Sequence, residues 1–302
     1  MQIWKLPVIK IAPDVIFSIG GFPVTNTLLA TWITIIVLLL LFYFGTRRRD
    51  LIPSGLQNFL EWAVELLLGL VEGVSGKEKG RKFFPLVATF FIFIVTCNLL
   101  DIIPGVDTIG ALDVSAINQA HGQPIAGFLL TGNISNAIIP WIRPATTDLN
   151  LTLAMAVVSV VVTQGFGFYY LGAGQQISKY LNFKALFTKF PMGIIDFIVG
   201  LLEIVSELGR IISFSFRLFG NVFAGSTLLA VFAFLLPVVT SVIFIPFELF
   251  VGFIQAFVFA ILTLVFMELG STGHDHSDSS AEHEAEQEVG QERTREATAV
   301  AH

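Results

Sequence analysis

The segment Glu203–Gly225, EIVSELGRIISFSFRLFGNVFAG, decides how the chain is read. Arg217 stands inside it among Phe214, Phe216, Leu218 and Phe219, in a run greasy enough for a membrane interior. A charged side chain near mid-bilayer costs from ~3 to ~10 kcal/mol or more, so its presence there implies a task. Asn221, four residues on, shares its helical face. The plain alternative is a long side chain snorkelling from a helix end to the headgroups. Apolar residues continue well beyond Arg217 toward the C-terminus, which argues against a helix end.

Working outward, no proline falls between Pro191 and Pro237. A helix of ~45 residues would be ~67 Å long, more than twice the ~30 Å hydrocarbon core, so the stretch is either two short spans or one steeply tilted helix. Asp196, Glu203, Arg210 and Arg217 recur every seven residues, with Glu207 between them and Asn221 after. Seven residues fall only ~20° short of two full turns, so one helix keeps all of these side chains on one side, whereas two would scatter them. The expectation is one long tilted helix, with Gly209 or Gly220 as a bend. After Pro237 and a short turn, a final apolar helix runs to about Leu269 and carries Glu248, Gly252, Gln255 and Thr263 on one face. Folded as an antiparallel hairpin, the two helices put Gln255 at the depth of Arg217 and Asn221 close to Glu248 or Gly252. Polar stripes meeting inside lipid suit an ion path. Interhelical hydrogen bonding as mere glue accounts for Gln255 and Asn221, but not for an arginine accompanied by carboxylates.

The rest of the chain agrees with a membrane setting. Of the 302 residues 54% are hydrophobic and 13% charged, about half the ~25% charge of a soluble domain. The net charge of −6 belongs entirely to the segment after Gly270, where eight acids face Arg293 and Arg295. This 271–302 tail, with His274-Asp275-His276, lacks apolar periodicity and reads as disordered and cytoplasmic. Cys97 is the single cysteine, which excludes an intrachain disulfide and a thiolate zinc site. No cleavable signal is read at the N-terminus.

Residues 1 to about 23 read as an irregular lead-in, followed by a span over 24–44 that stops at Arg47-Arg48-Arg49. An amphipathic helix over 54–74 is expected at the interface or against neighbouring helices. A second span covers 83–103, and a long loop leads to Asp148, whose Thr-rich surroundings are ordinary helix-capping chemistry, and to a third span over 149–171. The loop over 45–83 carries seven Lys and Arg, that over 172–190 three, and the one between only Arg143. This asymmetry places the N-terminus outside and the C-terminus in the cytoplasm. The expected fold class is an all-α polytopic membrane protein: transmembrane helices, an interfacial amphipathic helix and a C-terminal hairpin of two long tilted helices. Residues 1–270 form one membrane domain.

Four motifs in this order resemble subunit a of the F-type ATP synthases: NLLDIIPG at 98–105, PATTDLNLTLA at 144–154, FRLFGNVFAG at 216–225 and QAFVFAILTLVFMEL at 255–269. The resemblance covers about residues 24–270. It implies a stator subunit that forms two proton half-channels and couples proton flow to rotor rotation, with the c-subunit ring, b-type stalk subunits and membrane lipid as partners. It implies that Arg217 faces the carboxylate of each passing c subunit, with Asn221 and Gln255 as its polar partners. Glu203 and Ser213 match positions lining the cytoplasmic channel, and Asp101, Asp148 and Asn150 match the outer mouth. Many members carry an acid and a histidine where this chain has Ser226 and Glu248, so the carboxylate has moved across the hairpin. Glu248 is then the expected outer relay, and Glu203 with Glu207 the inner one. Asp196 and Arg210 read equally well as surface or interface charges.

No Walker-type phosphate loop, catalytic triad or metal cluster is seen, so no cofactor and no nucleic-acid partner is expected and nucleotide chemistry belongs to other subunits. The rival readings are a secondary transporter, which would show internal repeats, and a self-contained channel, which would line its own pore. No repeat is found, and the polar stripes lie on one hairpin awaiting an external carboxylate.

Overall fold

A computed structural model describes residues 12–47, 55–103, 110–112, 123–125, 129–131, 138–172, 174, 176, 192–235 and 237–272. The expectations about the 177–190 loop and the acidic tail, and about the Asp196 side chain, lie outside what is described.

The described part of the lead-in, from residue 12, is not irregular. Strands β1 (Val15–Ile19) and β2 (Phe22–Thr25) pair antiparallel, with Ile19 opposite Phe22. Gly20 and Gly21 form the turn at φ 58° and 91°. A two-residue turn with both φ positive matches the twist of its strands and favours glycine. Helix α1 (Asn26–Thr46) starts directly from β2, and the Thr25 side chain caps it by accepting from the Leu28 N–H at 3.3 Å. The cap moves the helix start two residues beyond the expected Val24.

Helix α2 (Leu56–Asp101) contains both the amphipathic helix and the second span. Gly76, at φ 70° and ψ 170°, breaks it into two arms, and Arg81 of the second arm reaches back to Glu72 of the first at 3.1 Å. The second arm therefore begins at Lys77 rather than Phe83, and Pro85 lies inside it. Buried Leu60, Leu67 and Val71 define the covered face of the first arm, while Phe59, Trp62 and Leu66 are exposed.

The long loop carries two small antiparallel ribbons, β3 (Gly110–Leu112) with β6 (Ile138–Pro140) and β4 (Gln123–Ile125) with β5 (Leu129–Thr131). A 3-10 turn at Ala145–Thr147 leads into helix α3 (Leu149–Leu171). Met192–Leu235 is one helix, α4, and Gly209 and Gly220 are helical within it. Helix α5 (Pro237–Ser271) begins at its proline rather than after a turn beyond it. A proline in a first turn forfeits no helical hydrogen bond.

Asn26–Thr46, Leu56–Asp101, Leu149–Leu171 and Val242–Ser271 are long and apolar enough to cross a membrane. The chain is thus a mostly helical polytopic membrane protein. Its contacts divide it into two compact units, residues 1–161 with 205–265 and residues 162–204 with 266–302. In the first unit the core is aromatic and aliphatic: Phe90 of α2 and Phe214 of α4 both pack on Phe259 of α5, with ring centroids 5.3 and 5.2 Å apart. Val87 and Ile94 of α2, Leu218 and Val222 of α4, and Ala256 and Ala260 of α5 are buried. In the second unit, Gln176 is buried and donates to Gln164 at 2.8 Å.

Candidate functional site

The site is built on α2, α4 and α5 of the first unit. Phe214, Ser215, Leu218 and Val222 of α4 are buried, whereas Ser213, Phe216 and Arg217 are exposed. Arg217 therefore lies at the edge of the covered face. Its Nη2 donates a long hydrogen bond, 3.4 Å, to Ser213 Oγ one turn earlier.

One turn in the other direction α4 borders a cleft. Asn98 and Asp101 of α2, Asn221 and Val222 of α4, and Glu248, Val251 and Gly252 of α5 line it. The structure thus brings together three of the expected residues, Asp101, Asn221 and Glu248. It adds Asn98, which is buried, donates to the Gly252 carbonyl at 2.9 Å and accepts from Thr146 Oγ1 at 3.4 Å. A side chain at Gly252 would crowd Asn98. Asparagine within an apolar run was the available signal, since an amide in lipid requires a partner.

The Glu248 carboxyl lies directly over Gly225 of α4, where an added Cβ would overlap it. Ser226 does not meet it; its hydroxyl donates to the Phe223 carbonyl at 3.1 Å. The absence of a side chain at 225, rather than the serine at 226, accommodates the acid. A Gly225→Val variant should displace the carboxyl and lower ATP-driven pumping about tenfold, with the subunit still assembled, measured on membranes by pumping and immunoblot.

Asp101 also lines a second, largely apolar cavity with Thr34 of α1, Cys97 of α2 and the Ile142–Ala145 segment. Asp148 is not in the cleft. Its Oδ1 accepts from the Asn150 N–H at 2.9 Å and its Oδ2 from Thr27 Oγ1 at 2.9 Å. Oδ1 caps α3, the capping alternative read from the sequence, and Oδ2 ties it to α1. Asn150 is exposed on the first turn of α3.

Gln255 is buried, and its Nε2 has no hydrogen-bond partner among the described residues. It makes no hydrogen bond to Arg217, whose bond goes to Ser213. Gln255 belongs to the covered face of α5 beside Ala256, while Arg217 is on the exposed side of α4. Glu207 is held by Arg210, whose Nη1 donates to both carboxylate oxygens at 2.9 and 3.0 Å. Arg210 is thus an intrahelical partner rather than a loose surface charge. Glu203, half-buried, belongs to the other unit. Among the described residues no group of three or more His, Cys, Asp or Glu is placed to hold a metal ion.

An exposed arginine on a long helix, beside a cleft with two carboxylates and two amides, suits a membrane protein that handles ions. The comparisons specify it further. The model of the family described as ATP synthase A chain matches residues 28–268. ATP synthase subunit a of Moorella thermoacetica is 31% identical over 87% of this chain and 99% of its own length. That of Gloeobacter violaceus is 28% identical over 89% and 93%. A subunit a of Propionigenium modestum described as sodium ion specific is 27% identical over 87% and 79%. The chain belongs to the ATP synthase A chain family, subunit a of the F-type ATP synthases. Membership makes it a membrane-embedded stator component in ion translocation, and a secondary transporter is not favoured.

Proposed function

We propose that this subunit presents Arg217 to the carboxylates of a rotating c-ring and provides two proton half-channels that end on either side of it. The carrying observation is the exposure of Arg217 on an α4 face that no other described element covers, next to the cleft of Glu248, Asn221 and Asp101.

A rotor carboxyl facing lipid must be protonated, because a bare charge there is heavily penalised. Opposite Arg217 it is tolerated as carboxylate, since a guanidinium keeps its charge at all relevant pH values. A nearby cation lowers a carboxyl pKa, so the proton leaves on one side of the arginine and another is taken up on the other. The fixed charge also repels protons that would pass straight between the half-channels. Each charge moved gains ~2.3 kcal/mol per 100 mV, which biases rotation.

In the outer half-channel Glu248 is the relay, Asn98 and Asn221 line the cleft, and Asp101 connects it to the mouth. Asp148 and Asn150 shape that mouth through their hold on α3. In the inner half-channel Ser213 is bonded to Arg217 and Glu207 is a relay whose charge the Arg210 pair moderates; Glu203 joins them on its match to the family position alone. Gln255 supplies a buried amide that receives the guanidinium side when Arg217 withdraws from a passing carboxylate. The subunit is non-catalytic, its further partners are the b-type stalk subunits, and its N-terminus lies outside and its C-terminus in the cytoplasm of an energy-coupling membrane. The charge asymmetry of the loops supports that orientation.

Rotor contact is tested by cross-linking. In a Cys97→Ser background, Phe216→Cys on the exposed α4 face should form a disulfide with a cysteine placed beside the rotor carboxylate. A control at the buried Val222→Cys should not. Equal yields from both positions would reject this face as the rotor seat.

A further inference from the structure

Two residues before Arg217, on the covered side of α4, Ser215 is fully buried against α3. Its Oγ lies 3.2 Å from Thr152 Oγ1, which is also fully buried. One turn of helix advances by 3.6 residues, so positions 215 and 217 are ~200° apart and point to nearly opposite sides. The hydroxyl pair and the arginine are the back and front of one stretch of helix.

The direction of the bond follows from its surroundings. Thr152 Oγ1 donates to the Leu149 carbonyl at 3.1 Å within its own helix. Ser215 must therefore be the donor to Thr152. Two turns farther along α3 the pattern recurs toward the other helix of the hairpin. Ser159 Oγ and Thr263 Oγ1 of α5 are 3.0 Å apart and buried. Thr263 also donates to the Phe259 carbonyl at 2.9 Å. Helix α3 holds α4 with one hydroxyl pair and α5 with another.

Apolar packing in lipid permits helices to rotate about their axes with little change of contact, whereas a hydrogen bond has a direction. Resting on the reading of Arg217 as the gate between half-channels, we propose that the Thr152–Ser215 pair is a rotational lock. It fixes the facing of α4 and thereby the position of the guanidinium before the rotor. Ser215 and Thr152 are positioning residues; neither touches the transferred proton. Removing the Ser215 hydroxyl leaves Thr152 bonded to its own backbone, so Ser215→Ala deletes the tie without creating a buried orphan.

The test uses the complete synthase in inverted membranes, comparing Ser215→Ala, Thr152→Val and Thr152→Ser. Ser215→Ala and Thr152→Val should each lower ATP-driven proton uptake about threefold and, with the catalytic sector stripped, raise passive proton leak about twofold. Opposite signs are the signature of a misplaced gate, because a scarcer or misfolded subunit lowers both. Thr152→Ser keeps the hydroxyl and should recover most of the uptake, and the double variant Thr152→Val/Ser215→Ala should be no worse than the more impaired single one. Wild-type uptake and leak in both deletion variants would overturn the lock. So would parallel loss of uptake and leak, or a Thr152→Ser variant as impaired as Thr152→Val. If Arg217→Ala pumps normally, the gate reading fails; if it does not pump and the hydroxyl variants are normal, only the lock fails.

Discussion

In inverted membranes carrying Arg217→Ala, ATP-driven proton uptake in sodium-free buffer falls below about 1% of wild type. Wild-type uptake in the same buffer identifies the transported ion as the proton, which matters because one similar subunit is described as sodium ion specific. The size of the effect follows from Coulomb's law. A guanidinium and a carboxylate ~4 Å apart attract by ~4 kcal/mol at an effective dielectric of ~20, which is ~10³-fold in the population of the ionised rotor site. Without that attraction the rotor carboxyl stays protonated through the stator contact, and ring rotation no longer requires proton exchange. The exposed side of α4 retains Phe216 and Ser213, so the contact itself survives the substitution. Passive leak through the stripped membrane should rise, because nothing then repels a proton passing between half-channels. Arg217→Lys should remain severely impaired: an ammonium lacks the planar fork and loses its proton more readily when desolvated. Normal coupled uptake in Arg217→Ala membranes would refute the mechanism.

The single long helix was legible because its evidence is periodic. Asp196, Glu203, Arg210 and Arg217 at intervals of seven are compatible with one helix and awkward for two. The first helix was legible from its apolar length alone. The β1–β2 hairpin was not, although Gly20-Gly21 signals a tight turn, because the flanking prolines and the short strands offered too little alternation to outweigh the appearance of an irregular segment. The break in α2 fell at Gly76, between the expected end of the amphipathic helix at 74 and the expected start of the span at 83. A positive-φ turn needs a glycine, whereas Pro85, nine residues into the second arm, forfeits one helical hydrogen bond without ending the helix.

At the site, helical periodicity gave the residues that share a face but not the neighbours across helices. Gly225 is conspicuous only once Glu248 is seen over it, because the missing atom leaves no mark of its own in a single sequence. Matching the midpoints of two helices estimates depth and says nothing of rotation, so it does not foretell that Gln255 is buried while Arg217 is exposed.

Glu248→Gln should reduce passive proton conduction through stripped membranes at least ~10-fold, in line with loss of a positioned proton-transfer group, and should lower ATP-driven uptake with it. Glutamine has the same length and nearly the same volume, so it occupies the space over Gly225 and leaves the α4–α5 contact intact. What it loses is the capacity to hold a proton and release it. Asp101 borders the same cleft, yet it lies on α2 and does not sit over Gly225, so it does not replace a relay at that place. Glu248→Asp retains the carboxyl but withdraws it by one methylene, and should conduct at an intermediate rate. That ordering separates proton transfer from packing. If packing over Gly225 were the only role of Glu248, glutamine would be tolerated and aspartate would be the more damaging change. Conduction equal to wild type in Glu248→Gln membranes, with the subunit present in normal amount, would remove Glu248 from the relay. The outer path would then have to run from Asp101 to the rotor by way of Asn98 and Asn221, groups that can order water but cannot themselves carry the proton.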